Sequence, residues 1–263
     1  MDRISRLFCV VAGVAAMAMV AVSAIAGVDD SAPIGAWFFD EGQGTVVTDA
    51  VGTADAVFDG DVSWTDGVNG SAIAFGANGD LGFVLFNADE DPAGQFILHQ
   101  PGNVTIAMWI NTPALQHGSW FWTRGDGTDN GRFNIHNGSG DQFNFDYRED
   151  ADKSPDPPHG GVEPAILDVD TWTHVAVTRS GNQYMVWKNG VPGPVWVDEN
   201  PELPSANAWM LGGPRGCCPL IATIDEIGVW ARALNEADIN AVMDGLAGVT
   251  TAVEPGGKLA TSW

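Results

Sequence analysis

The segment that decides the fold is residues 211–234, which reads LGGPRGCCPLIATIDEIGVWARAL. Its centre, residues 224–230 (IDEIGVW), has the pattern of a β-strand, in which successive side chains point to opposite faces. Asp225 and Glu226 are adjacent and therefore point in opposite directions. We expect Asp225 to share the buried face with Ile227, where a carboxylate needs a cation or several hydrogen-bond donors.

Two interpretations of the buried Asp225 follow from this position. In the first, the carboxylate accepts hydrogen bonds from the backbone N–H groups of a loop. In the second, the carboxylate is a ligand of Ca²⁺, which prefers carboxylate and carbonyl oxygens. Both interpretations remain open at this point.

The rest of the chain has the same organisation of short strands and tight turns. Its 263 residues include 33 Gly, 15 Pro and 11 Trp, and about a dozen short segments alternate with period two between turn residues. In residues 104–111 (VTIAMWIN), Val104, Ile106, Met108 and Ile110 fall on one face. Residues 235–246 form the single expected helix, because Asn235 can cap it and Ile239 and Val242 belong to an apolar stripe. The pattern predicts an all-β, two-sheet antiparallel sandwich with one short C-terminal helix.

The first 26 residues have the features of a secretory signal peptide. Arg3 and Arg6 precede the apolar residues 7–22, and Ala24-Ile25-Ala26 fits a cleavage site. We expect a signal peptide at 1–26, one domain at 27–246 and a tail at 247–263. The apolar run is short for a membrane span, so the expected product is secreted, periplasmic or on the cell surface, with no transmembrane segment after cleavage.

The formal charge of −23 argues against nucleic acid as a partner, because such binding depends on Lys and Arg that neutralise phosphates. An acidic surface is compatible with cation binding. After cleavage the chain keeps two cysteines, Cys217 and Cys218, which are adjacent. They can form a vicinal disulfide, pair with another chain or stay reduced. A zinc site is not expected, since it needs about four ligands.

Several segments, in order, resemble laminin-G-like jelly-roll domains of the concanavalin A-like lectin/glucanase superfamily. They are residues 37–42 (WFFDEG), 104–110 (VTIAMWI), 172–178 (WTHVAVT), 185–190 (MVWKNG) and 224–230. The resemblance covers roughly residues 34–246 and implies a jelly-roll fold. Domains of this kind serve as binding, adhesion or accessory modules; some are lectins, and some bind structural Ca²⁺. The resemblance also implies Asp49, Asp225 and the backbone near Gly52 as Ca²⁺ ligands.

A glycan site is suggested by aromatic residues with polar neighbours. Trp120 and Trp122 are two residues apart, so they share a face of a strand, and Arg124 continues the row. Tyr147 and the irregular segment 149–163 are expected nearby. The alternative is that both tryptophans belong to the core.

The sequence contains no catalytic motif that we recognise. Glucanase relatives carry an E-x-D-x-x-E type motif, which is absent here, and retaining glycosidases need two carboxyl groups about 5 Å apart. His174 lies within a strand and has no motif partner, so we expect it to be structural. We therefore expect an exported, non-enzymatic module that binds a carbohydrate or a cell-surface or matrix protein. A divergent glycoside hydrolase or lyase of the same fold is the alternative; the oligomeric state is left open.

Overall fold

The computed structural model describes residues 32–52, 54–76, 82–86, 103–114, 118–124, 132–137, 143–148, 167–197, 208–212 and 220–250. The predicted signal peptide, Cys217, Cys218 and the segment 149–163 lie outside these ranges. The described strands are β1 (Gly35–Trp37), β2 (Val46–Val47), β3 (Ala56–Gly60), β4 (Val62–Asp66), β5 (Ser71–Phe75), β6 (Gly82–Phe86), β7 (Val104–Asn111), β8 (Gly118–Arg124), β9 (Arg132–Asn137), β10 (Phe143–Arg148), β11 (Thr173–Ser180), β12 (Gln183–Lys188), β13 (Val191–Val197), β14 (Ala208–Leu211) and β15 (Ala222–Trp230). The helices are α1 (Glu236–Asp244) and α2 (Leu246–Thr250).

The strands form two antiparallel sheets. An eight-stranded sheet has the order β13-β12-β11-β7-β15-β5-β4, and β1 also pairs with β15. A seven-stranded sheet has the order β10-β9-β8-β14-β6-β3-β2. The prediction of an all-β antiparallel sandwich is therefore confirmed. Within the described ranges, no helix has the length and apolar character needed to cross a bilayer.

The main core lies between the sheets. Ile106, Ile110 and Ile224 from the eight-stranded sheet are buried together with Val84 and Leu211 from the seven-stranded sheet. A second apolar cluster lies on the outer face of the eight-stranded sheet, where α1 and α2 cover it. Its members include Trp187, Trp230, Ile239, Val242 and Leu246.

The C-terminal helix differs from the prediction. Asn235 caps α1 as expected, and its side chain accepts hydrogen bonds from the N–H groups of Ala237 and Asp238. The single helix predicted for residues 235–246 is wrong, because Gly245 has a φ of 150° and separates α1 from α2. Leu246 stays buried at the start of α2, and helical structure continues to Thr250, beyond the boundary expected at residue 246.

The turn between β12 and β13 fixes one end of the eight-stranded sheet. Asn189 and Gly190 both have positive φ, 48° and 77°, as a two-residue type I′ hairpin requires. The Asn189 Oδ1 atom also accepts a hydrogen bond of 2.8 Å from the backbone N–H of His174 on β11. Asn189 thus joins three strands through its backbone conformation and its side chain.

We expect Asn189→Ala to lower the free energy of unfolding by about 2 kcal/mol. Alanine at positive φ lacks the polar side chain that lets asparagine adopt this conformation at low cost. The change also removes the hydrogen bond from the N–H of His174. Urea unfolding measures the loss. Asn189→Asp is the control, because it keeps the acceptor and tolerates this conformation. An alanine variant as stable as the parent protein would contradict this role.

Candidate functional site

A β-bulge interrupts β15 at the two adjacent acids. Asp225 pairs with Trp109 and Gly228 pairs with Ala107, so three steps along β15 match two steps along β7. Glu226 takes the extra position, with a φ of 47°. Ile224 and Ile227 consequently both belong to the main core. The prediction that Asp225 shares the face of Ile227 is wrong, because the bulge reverses the alternation between them.

The Asp225 carboxylate is fully buried, with an exposed fraction of 0%, and holds the turn between β4 and β5. Its Oδ2 atom accepts hydrogen bonds from the backbone N–H groups of Val68, at 2.8 Å, and Asn69, at 3.1 Å. Its Oδ1 atom accepts one from the N–H of Glu226 at 2.8 Å. Three backbone donors therefore satisfy this carboxylate, as the first interpretation of Asp225 expected.

The position of Asp225 follows from how β15 is paired. One edge of β15 pairs with β5 through residues 222–224 and with β1 through residues 227–229. Asp225 and Glu226 lie in the gap between these two partners. Asp40, just after β1, holds the same β4–β5 turn, because its Oδ1 atom accepts the N–H of Ser71 at 3.0 Å. A side chain at Gly67 would collide with the Asp225 carboxylate, so this turn needs glycine there.

Burial dominates the electrostatics of this site. It raises the pKa of Asp225 to about 7; hydrogen bonds from the N–H groups of Asn69 and Val68 oppose the increase, and the Glu226 charge adds to it. Burial also raises the pKa of Glu226, and the charge of Asp40 contributes in the same direction. Among the described residues no Lys or Arg forms an ion pair with Asp225 or Glu226.

The residues predicted as Ca²⁺ ligands fall into two groups. The Asp49 Oδ1 atom accepts the N–H groups of Ala36 and Val51, its Oδ2 atom accepts that of Ala54, and Gly52 packs against the carboxylate. The structure thus brings Asp49 and Gly52 together. Asp225 has a separate set of donors in the β4–β5 turn. In the described ranges, no three His, Cys, Asp or Glu side chains are arranged to hold a metal ion.

His174 has the environment of a structural histidine. It is buried on β11, and its ring contacts Trp109 edge-on at 5.2 Å between centroids. Burial lowers its pKa to about 4, so the imidazole is neutral near pH 7.

The residues predicted for glycan binding lie on β8 and β10 of the seven-stranded sheet, whose outer face can be traced by strand register. Val46 and Val57, with exposed fractions of 49% and 45%, are paired and mark this face at the β2–β3 edge. Successive pairings extend their row across the sheet through Leu85, Met210, Trp122, Asn134 and Asp146. Trp122 and Arg124, two residues apart on β8, therefore occupy positions on the outer face.

Trp120 and Tyr147 have different positions. The register between β8 and β9 shifts between Ser119 and Phe121, so Trp120 lies in a bulge where simple alternation does not apply. Tyr147 pairs with Phe133, and Phe133 pairs with Thr123. Further pairings extend this row across the sheet to Ala56, which is buried. The register therefore brings Trp122 and Arg124 together and places Tyr147 on the opposite face.

A family model described as the concanavalin A-like lectin/glucanases superfamily, of the laminin-G type, matches residues 87–240. The chain belongs to this superfamily. The match agrees with the two antiparallel sheets and with the resemblance seen in the sequence. No curated protein matches the chain.

Solved structures with this fold include domains or larger parts of several proteins. Domain 4 of an extracellular arabinanase from Geobacillus stearothermophilus, in complex with arabinotriose, has a TM-score of 0.62 and 18% identity, covering 80% of this chain and 98% of that one. The botulinum neurotoxin serotype C1 binding domain has a TM-score of 0.62 and 13% identity, covering 82% and 52%. Trypanosoma rangeli sialidase in complex with the inhibitor DANA has a TM-score of 0.59 and 17% identity, and the match covers 82% of this chain and 33% of that one. At these identities the likeness shows the fold alone.

Sequence reasoning missed several residues around these sites. Residues 66–70 (DGVNG) read as a turn, but nothing in the sequence connects that turn with Asp225, which lies 157 residues after Val68. Strict alternation predicts that Glu226 and Asp225 point to opposite faces of the strand. The bulge at Glu226 breaks this alternation, and both side chains are buried. Asp40, which follows β1, belongs to the segment 37–42 that carries the family resemblance. This resemblance could have suggested that Asp40 holds the β4–β5 turn.

We expect the metal-free protein to lose stability as pH rises from about 4 to 7. The pKa of Asp225 is raised from 3.8 to about 7 on folding, so its stabilising contribution is present below 3.8 and lost towards 7. The loss is on the order of 4 kcal/mol. Urea unfolding in chelator at several pH values measures it.

Asp225→Asn is the matched variant for this experiment, because it cannot ionise. Its stability should change much less between about pH 4 and pH 7, although its absolute value falls since an amide NH₂ faces a backbone donor. An unchanged pH dependence in Asp225→Asn would show that another group causes it.

Proposed function

We propose that this domain is an exported, non-enzymatic module that binds a carbohydrate chain on the outer face of the seven-stranded sheet. The observation that carries the proposal is the row from Val46 to Asp146, which places Trp122 on that face among apolar and polar positions. Carbohydrates and other ligands are held by aromatic surfaces together with a few polar groups. In this proposal, Trp122 supplies the aromatic surface, and Asn134 and Arg124 supply the polar groups.

Exposure at the β2–β3 edge of this face supports the proposal. The two described helices pack on the eight-stranded sheet, where Trp187, Trp230 and Leu246 form a closed apolar cluster. Val46 and Val57 on the seven-stranded sheet are, in contrast, about half exposed. The arabinanase domain in complex with arabinotriose is similar over nearly its whole length, so a module of this size and fold is also found within a carbohydrate-related protein.

The arrangement of carboxylates supports binding rather than hydrolysis. The described strands of the seven-stranded sheet contain two acids, Asp59 on β3 and Asp146 on β10. Five inter-strand steps separate β3 from β10, which corresponds to roughly 24 Å at about 4.8 Å per step. Glycosidases place their two carboxyl groups about 5–10 Å apart. Asp59 and Asp146 therefore do not form such a pair.

We expect Trp122→Ala to lower affinity for the bound polysaccharide about tenfold or more, because a buried aromatic contact typically carries much of the binding energy. Isothermal titration against a panel of soluble polysaccharides measures this. Val195→Ala, on the edge of the eight-stranded sheet, is the control and should bind normally. Reducing-end assays should show no turnover; turnover would favour the hydrolase or lyase alternative. Binding to cells or matrix without binding to any glycan would favour a protein partner.

We also propose that Ca²⁺ stabilises the domain through Asp225 and Glu226. Two adjacent carboxylates with exposed fractions of 0% and 5% lie beside each other, and the described residues offer them no cationic side chain. Burying charge without a counter-charge is costly. A divalent cation would offset this cost, and the unused lone pairs of the carboxylates and of nearby carbonyls suit Ca²⁺.

We expect Ca²⁺ to raise the thermal midpoint above that in chelator by roughly 5–10 °C at a hundredfold excess over Kd. Asp225→Asn should lose most of this shift. Asp49→Asn is the comparison variant, because Asp49 has a separate set of donors, and it should keep the shift despite a lower midpoint. Equal midpoints in Ca²⁺ and in chelator would leave Asp225 as a hydrogen-bonded acid without an ion.

A further inference from the structure

Three arginines occupy matching positions on neighbouring strands of the seven-stranded sheet. Arg148 on β10 pairs with Arg132 on β9. Thr123 of β8 pairs with Phe133, so the antiparallel register puts Arg124, the next residue, opposite Arg132. Arg124 in turn pairs with Ala208 on β14. The arginines thus form one row, which we call the arginine row, across three adjacent strands.

The arginine row lies on the outer face. Arg124 is two residues from Trp122, and Arg148 is two residues from Asp146, so the arginine row has the parity of the row that ends at the exposed Val46 and Val57. The intervening row leads to Ala56 and Val47, which are fully buried. The outer face therefore carries a row of arginine positions beside a row containing Trp122 and Asn134.

The charge of β8, β9 and β10 differs from that of the whole chain. The whole sequence has 11 Lys and Arg against 34 Asp and Glu. β8, β9 and β10 contain three arginines and a single acid, Asp146. Like charges in opposite positions on neighbouring strands are destabilising. An anionic ligand would offset such repulsion.

We propose that the arginine row binds a polysaccharide whose sugars carry carboxylates, that is, a chain of uronic acids. The proposal rests on the proposed function and names the class of ligand for the same face. Guanidinium groups bind carboxylates through two parallel hydrogen bonds. Neighbouring strands lie about 4.8 Å apart, so the arginine row offers regularly spaced cationic positions to a polymer with regularly spaced carboxylates. Trp122, in the adjacent row, offers an apolar surface to a sugar ring.

The test uses the purified full chain in titrations against polygalacturonate and alginate, with neutral arabinan and pullulan and with dextran sulfate as comparison polymers. The variants are Arg132→Gln, at the centre of the arginine row, Arg132→Lys and Trp122→Ala. Lys188→Gln is the control for loss of one positive charge, because Lys188 pairs with the exposed Asp168 on the eight-stranded sheet. Thermal midpoints of all variants establish that they are folded.

We expect a uronate polymer to bind most tightly and added salt to weaken it. Arg132→Gln should lower that affinity about tenfold, Arg132→Lys should retain part of it, and Lys188→Gln should match the parent protein. Trp122→Ala should also lower it. These results together would support both the ligand class and the face.

Four results would overturn the proposal. If a neutral polysaccharide binds in a Trp122-dependent way and uronates do not, the carbohydrate module stands and the uronate assignment fails. If dextran sulfate binds and uronates do not, sulfate rather than carboxylate is recognised. If Arg132→Gln changes the thermal midpoint but no polymer affinity, the arginine row serves the fold. Failure of every polymer with the parent protein would remove the proposed function as well.

Discussion

The hydrogen bonds that the Asp225 carboxylate accepts from the β4–β5 turn join parts of the chain that are far apart in sequence. β15 offers one edge to two partners in succession, β5 and then β1, and the bulge at Glu226 lies where one partner gives way to the other. Without an acceptor at this point, the N–H groups of Val68 and Asn69 would be left unpaired beside a buried region. The carboxylate satisfies them, and the cost is a buried acid whose pKa is raised to about 7.

The bulge also determines how the two faces of β15 are used. Because it reverses the alternation, Ile224 and Ile227 both enter the core, and Trp230 reaches the outer face with Gly228 beside it. Bare backbone at Gly228 leaves room for the Trp230 ring and for Leu246, since a side chain there would collide with both. The helices can then cover the eight-stranded sheet closely. The seven-stranded sheet receives no such cover from the described helices.

Local pattern predicted the strands well, because alternation and turn residues are properties of short segments. The segment expected at residues 104–111 coincides with β7, and Asn235 caps α1 as expected. The pattern failed where a neighbouring strand or a single backbone angle decides the outcome. The bulges at Glu226 and Trp120 exist only relative to β7 and β9, and the φ of Gly245 divides the helix. Trp122 and Arg124 could be paired from their spacing, whereas Arg132 and Arg148 joined them only through strand register.

The acidic composition and the arginine row act over different distances. At physiological ionic strength the repulsion between the acidic surface and an anionic polymer is screened within about 8 Å. Contacts between guanidinium and carboxylate groups operate at hydrogen-bond distance, where the loss of solvent strengthens them. In the proposed complex, the acidic surface would repel a polyanion, and the three arginine positions would retain it. The excess of acids elsewhere would raise selectivity by making other orientations unfavourable, in the way that repulsive contacts exclude wrong partners from a specific interface.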